Sequence, residues 1–214
     1  MQGVLRMKKI SQDMIDTSDQ RNKRQHILDA AYIIFSRKGF HRATVDEIIA
    51  LADTGKGTVY NYFVNKEQLF YTLIKEYSNP FNKKIEEIVA SDLLALDKIS
   101  ILTKEFLNFY SRNADLWRVL IHEMRTFGES GYSGFNEEQR DKYKKEFEYT
   151  IALLESVILQ GIEQKIIREC NTKQAAYGLF SAIIAIVFQG LVGEDIEKTT
   201  DNIANTFLFG IAIK

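Results

Sequence analysis

Apolar residues recur three and four apart along most of this chain, the spacing of one face of a helix. The first such stripe is Ile27, Ala30, Ala31, Ile34 and Phe35, in a helix expected to start near Asn22. Lys38–Gly39 ends it, because glycine accepts the left-handed backbone of a helix terminus, and Phe40 folds back as an apolar anchor. Thr44 and Glu47 stand in the order of a capping box, which predicts a second helix with Val45, Ile48, Ile49 and Ala52 inward. Asp53 follows where the chain must turn, and aspartate tolerates the left-handed region better than most residues. A third short helix, 56–63, buries Val59 and Phe63. Its other positions, Lys56, Gly57, Thr58, Tyr60, Asn61 and Tyr62, fall on the outer face or the ends. Asn65 caps a fourth helix, and Lys66 in its first turn opposes the helix dipole. That misfit points to a partner for Lys66 such as a phosphate; the alternative is a solvated lysine.

Pro80, beside Asn79, reads as a kink or break after the fourth helix, since proline lacks the amide and restricts its predecessor. Beyond it the pattern predicts helices over 91–112, 114–126, 137–164, 172–191 and 195–213, with a glycine-rich loop at 128–135 suited to a surface lid. The chain is therefore expected to be all-α. The last two helices are apolar over more than one stripe, and such helices must be buried on two sides. Packing inside one domain would satisfy this. So would a homodimer through Ala175, Leu179, Ala182, Ile183, Ile203, Phe207 and Gly210, the reading preferred here. Between facing helices, Phe106, Phe109, Tyr110, Trp117, His122, Phe127, Tyr149 and Phe188 either line a small-molecule pocket or are plain core.

Composition changes the picture in two places. The net charge is −1, yet residues 1–66 hold 11 Lys and Arg against 7 Asp and Glu, while the rest holds 17 against 22. A basic N-terminal part is what phosphate binding needs, because neutralised phosphates release counterions. Cys170 is the only cysteine, which excludes an intrachain disulfide and fits a reducing cytoplasm. No apolar run approaches the roughly 18–20 residues of a membrane span. Residues 1–20 lack periodicity and are expected to form a loose arm without the apolar core of a signal peptide; Met7 is a second candidate start. Three scattered histidines and one cysteine offer no metal-ligand spacing, and no nucleophile elbow or dinucleotide fingerprint occurs, so no catalytic residues, metal or cofactor are expected. Gly55–Lys56–Gly57–Thr58 lacks the order of a phosphate-binding loop.

Two short helices joined by a tight turn, with Lys, Thr, Asn and Tyr presented on the second, are the outline of a helix-turn-helix DNA reader. The outward tyrosines have a plainer reading, packing against the fourth helix. The joint order resembles the TetR family of bacterial transcriptional regulators across about residues 22–75, most specifically in Ala43–Ile48, Lys56–Tyr60, Tyr62–Phe63 and Asn65–Leu69. The resemblance implies that Thr44 bonds a phosphate. It implies that Lys56, Gly57, Thr58, Tyr60 and Asn61 meet bases or nearby backbone, and that Tyr62 and Lys66 clamp phosphates. It implies a DNA-binding domain at 21–66, a connecting helix at 67–90, and an effector-binding and dimerisation domain at 91–214. The partners implied are a palindromic double-stranded operator, a second copy of the chain, and a hydrophobic or amphipathic effector that releases a repressor. Gly55 departs from the family, which usually has a capping Ser there, and Thr54 replaces a usual Val. The competing function is a helical interaction module whose helix-turn-helix is only structural.

Overall fold

The computed structural model describes the backbone of residues 2–125, 135 and 137–211, and the side chains of 22–124, 135 and 137–208. Its elements are all helices: α1 (Gln2–Arg42), α2 (Val45–Leu51), α3 (Lys56–Tyr62), α4 (Lys66–Ala90), α5 (Ala95–Arg112), α6 (Ala114–Arg125), α7 (Glu137–Glu163), α8 (Thr172–Phe188) and α9 (Ile196–Ile211). Contacts divide the chain into two compact units, Met1–Glu76 and Tyr77–Lys214. The helical run of α1 begins at Gln2, not near Asn22.

The first unit is built around three phenylalanines. Gly39, at φ 76 and ψ 170, breaks the α1 geometry where the sequence asks for a stop. That turn brings Phe40 back against Phe35, ring centres 5.9 Å apart, and Phe70 of α4 meets both edge-on at 4.9 and 5.3 Å. Ile27, Leu28, Ile48, Val59, Leu69 and Leu73 close the core around them. Burying several such side chains at about 1.5–3 kcal/mol each is what holds helices as short as α2 and α3, which would not form alone.

In the second unit α5 packs against α7, α8 and α9, and its Ile99, Leu102, Phe106 and Leu107 are fully buried. Pro80 lies inside α4, so of the two readings, kink or break, the break does not occur. The turn after Pro80 is held by tertiary contacts: Phe81 stacks on Phe109 at 4.1 Å, Ile85 is buried, and Lys84 pairs with Glu105 at 2.7 Å. A lost amide bond costs less than giving up that packing. The buried Lys98 ammonium donates to the Val89 carbonyl at the end of α4 (2.7 Å) and to Gln160 of α7 (2.9 Å), satisfying a charge that would otherwise be costly to bury.

Gly161 of α7 marks the tightest approach. A β-carbon there would sit 2.4 Å from Ile167 Cδ1, 2.8 Å from its Cγ1 and 3.1 Å from Ala95 Cβ. Ile167 is itself buried, so any shift it makes must be taken up inside the core. Gly161→Ala is therefore expected to destabilise the second unit by about 1–3 kcal/mol through overpacking, despite alanine's better helix propensity; the urea midpoint of Trp117 fluorescence measures it.

Candidate nucleic-acid interface

The α2–α3 turn is set by local chemistry. Thr44 caps α2: its hydroxyl accepts the Glu47 amide at 3.3 Å, and Glu47 accepts the Thr44 amide at 3.1 Å. Glu47 also binds the Lys38 ammonium, and that contact first, the Thr44 bonds next, holds its carboxyl below the usual range. Asp53 takes φ 48, the left-handed turn expected of it. The Thr54 amide then returns to the Ile49 carbonyl at 3.2 Å, closing the end of α2. Gly55 is the N-cap of α3 and supplies no side-chain bond. Its hypothetical β-carbon would touch only Thr58 Oγ1, at 3.7 Å, so the fold itself has room for a larger residue.

On α3 only Val59 is buried, and Phe63 is buried at its end. Lys56, Gly57, Tyr60 and Asn61 are exposed; Thr58 and Tyr62 are half-buried, and the Tyr62 ring lies 6.2 Å from that of Phe63. Nothing lies within 4 Å of a β-carbon placed on Gly57. The fold therefore does not demand glycine there. Lys56 donates to Asp46 Oδ1 of α2 at 3.1 Å, and this bond, then the charge of Asp46, raises the ammonium above the ordinary lysine range. Asp46 was missed in the sequence reading, because a pair ten positions apart on two helices has no local signature.

Lys66 is placed differently from expectation. Asn65 caps α4 as predicted, accepting the Gln68 amide at 2.8 Å. The Lys66 ammonium, however, turns back to the end of α1 and the α1–α2 link. It donates to the carbonyls of Phe40 (2.9 Å), Ala43 (3.1 Å) and His41 (3.4 Å) and lies 4.5 Å from the centre of the Phe40 ring. Within the chain, the partners that offset the unfavourable dipole are these backbone carbonyls. Arg24 is also occupied: it pairs with Glu76 at 2.7 Å and sits 5.9 Å from the centre of the Phe63 ring.

The suggested pocket residues separate into groups. Phe106, Phe109, Tyr110 and Trp117 come together: Phe106 lies parallel to Tyr110 at 6.1 Å, and Trp117 is 5.4 and 5.5 Å from Phe109 and Tyr110. Burial pushes the Tyr110 hydroxyl well above its usual range. The buried Trp117 Nε1–H has no hydrogen-bond partner among the described residues. His122 and Tyr149 stand apart from that cluster. His122 is exposed, its Nδ1 3.6 Å from Glu123, and Tyr149 donates to Glu86 at 2.9 Å on the surface. Phe188 is half-buried beneath Arg118, which donates to its carbonyl at 2.8 Å. Phe127 and residues 128–134 of the expected lid lie outside the described residues.

The suggested dimer residues divide as well. Leu179, Ile183 and Ile203 are 1, 0 and 5% exposed, so they belong to the chain's own core and not to an interface. Ala182 is exposed, and Ala175 and Phe207 are half-buried. The surroundings of Gly210 lie outside the described residues.

Residues 27–72 match the model of the family described as bacterial regulatory proteins, tetR family. Along its length the chain is similar to the fatty acid metabolism regulator protein of Bacillus subtilis, 27% identical over 196 residues, which is 90% of this chain and 97% of that one. Among solved structures it is similar to the fatty acid degradation regulator FadR of Bacillus halodurans, with a TM-score of 0.73 and 25% identity over 88% of this chain and 95% of the other. It shares the fold of Bacillus subtilis FadR solved in complex with stearoyl-CoA, with a TM-score of 0.73 and 24% identity over 87% and 98%. The capped α2, the aspartate turn and the outward face of α3 all lie inside the matched segment, so residues 27–72 carry the helix-turn-helix domain of the TetR family of bacterial regulatory proteins.

Proposed function

We propose that this chain is a homodimeric transcriptional repressor that reads a palindromic operator through α3 and releases it when a long-chain fatty acyl-CoA occupies the second unit. The observation that carries the DNA half is the composition of the outer face of α3. Lys56, Gly57, Tyr60 and Asn61 are exposed, and packing asks for none of them. Lys and Asn are side chains that pair with the guanine and adenine edges in a major groove. Thr44 and Tyr62 flank that face and are assigned to phosphates.

The effector assignment draws on likeness to fatty acid regulators over nearly the whole chain, and on the stearoyl-CoA held by Bacillus subtilis FadR. The aromatic cluster of the second unit is chemically suited to an acyl chain, and the buried Trp117 Nε1–H, unpartnered among the described residues, offers a donor to an effector oxygen. For the dimer, Gly178, Ser181, Ala182 and Ala185 form an exposed row of small residues on α8 that admits a close second helix. A two-fold dimer then sets two copies of α3 about 34 Å apart, one turn of DNA.

Selection of bound duplexes from a random pool, followed by titration with stearoyl-CoA, tests both halves. A palindrome should be recovered, and saturating stearoyl-CoA should weaken its binding about 10- to 100-fold, a coupling of roughly 1–3 kcal/mol. By reciprocity the operator must weaken acyl-CoA binding by the same factor. A palindrome indifferent to stearoyl-CoA, coenzyme A and free stearate removes this effector class and keeps the reader. Recovery of no motif moves the interaction module to the front.

A further inference from the structure

Lys56 is the only charged residue of α3, and it is held by an anion. Its partner Asp46 stands in the first turn of α2, where the capping box of Thr44 and Glu47 already closes the helix start without it. The two side chains are 64 and 73% exposed, and an ion pair so open to water adds little to stability. The fold does not require Asp46 for its start or for its packing; the carboxylate matters through what it does to Lys56.

An ammonium has three donors. One is directed at Asp46, which fixes the side chain and leaves two for a guanine O6 or N7 in the groove. On non-cognate duplex the same ammonium neutralises a phosphate only by leaving Asp46, and the freed carboxylate then faces the phosphate chain. One anion is exchanged for another, and little counterion release results. We propose that Asp46 sets the DNA specificity of this chain, orienting Lys56 toward base edges while cancelling its attraction for phosphates on non-cognate duplex. The proposal rests on the reading of α3 as the recognition helix. Asp46 is thus a positioning residue, acting through Lys56.

The test is a double-mutant cycle on the full chain: Asp46→Asn, Lys56→Met and both together. Each protein is titrated across salt concentrations with the duplex selected by the unaltered chain and with a random-sequence duplex of equal length. Asp53→Asn is the charge control. It removes one carboxylate from the same unit, Asp53 pairs with no cation among the described residues, and asparagine suits its φ of 48 equally well. Asp46→Asn should tighten binding to the random duplex and steepen its logarithmic salt slope by about one. The preference for the selected duplex should fall by about five- to tenfold. In the Lys56→Met background the same substitution should change neither. Equal effects of Asp46→Asn in both backgrounds, or an equal effect of Asp53→Asn, would overturn the proposal, since the carboxylate would then act only as general repulsion. If the unaltered chain prefers no duplex, the reading of α3 itself is overturned, and this inference with it.

Discussion

Lys66→Ala is expected to destabilise the first unit by about 2–4 kcal/mol, because a charged donor is removed from three backbone carbonyls and those carbonyls lose their partner. The carbonyls of Phe40 and His41 lie just past the Gly39 break, and that of Ala43 just before the Thr44 cap. Lys66 therefore ties the start of α4 to the link that orients α2, and Phe40 beneath it belongs to the three-phenylalanine core. Hydrogen exchange gives the readout. Amides of α2 and α3 should lose protection, while the urea midpoint of Trp117, which lies in the second unit, stays where it is. The sequence alone led to a different expectation: a phosphate clamp whose removal flattens the salt dependence of DNA binding by about one unit of slope. Unchanged protection together with that flatter slope would show that the ammonium leaves the carbonyls for DNA.

The difference between those two expectations marks what the sequence carried. The Thr44–Glu47 box, the stop at Gly39, the left-handed Asp53 and the Asn65 cap were all legible, because each is decided by residues within three or four positions. Lys66 was legible as a local misfit, but its partners are 23 to 26 positions away and no spacing rule reaches them. The Asp46–Lys56 pair was hidden for the same reason. In α8, apolar residues run almost all the way round, so periodicity could not say which stripe faces the chain's own core. The answer is Ala176, Leu179, Phe180, Ile183 and Val187 inward, and Gly178, Ser181, Ala182 and Ala185 outward. Leu116, Leu120 and Glu123 form the buried four-and-three row of α6, and His122 falls off it. At Pro80 local chemistry allows a kink or a break, and the packing of Phe81 and Ile85, which no local rule shows, carries α4 past it.

Phe106→Ala is expected to cost about 3–5 kcal/mol, the range for removing a fully buried aromatic ring and leaving a cavity. Phe106 is 0% exposed and meets three rings: Phe81 edge-on at 5.0 Å, Phe180 edge-on at 5.9 Å and Tyr110 in parallel at 6.1 Å. Those rings stand on α4, α8 and α5, so closing the hole means shifting a helix and not a rotamer. Phe109→Ala should cost less, since its ring is only half-buried, although it stacks on Phe81 at 4.1 Å. Urea unfolding followed at Trp117 reports on both, because that indole lies 5.4 and 5.5 Å from Phe109 and Tyr110. On the proposed function, the same two variants decide which rings meet the effector. A core ring changes the midpoint and leaves the stearoyl-CoA concentration for half-release of DNA within about threefold, a shift under 1 kcal/mol. A wall ring does the reverse. Complete burial assigns Phe106 to the first kind, and partial exposure beside Trp117 assigns Phe109 to the second. A stable Phe106→Ala protein with altered effector response would exchange those roles and move the acyl site inward, onto α5 and α8.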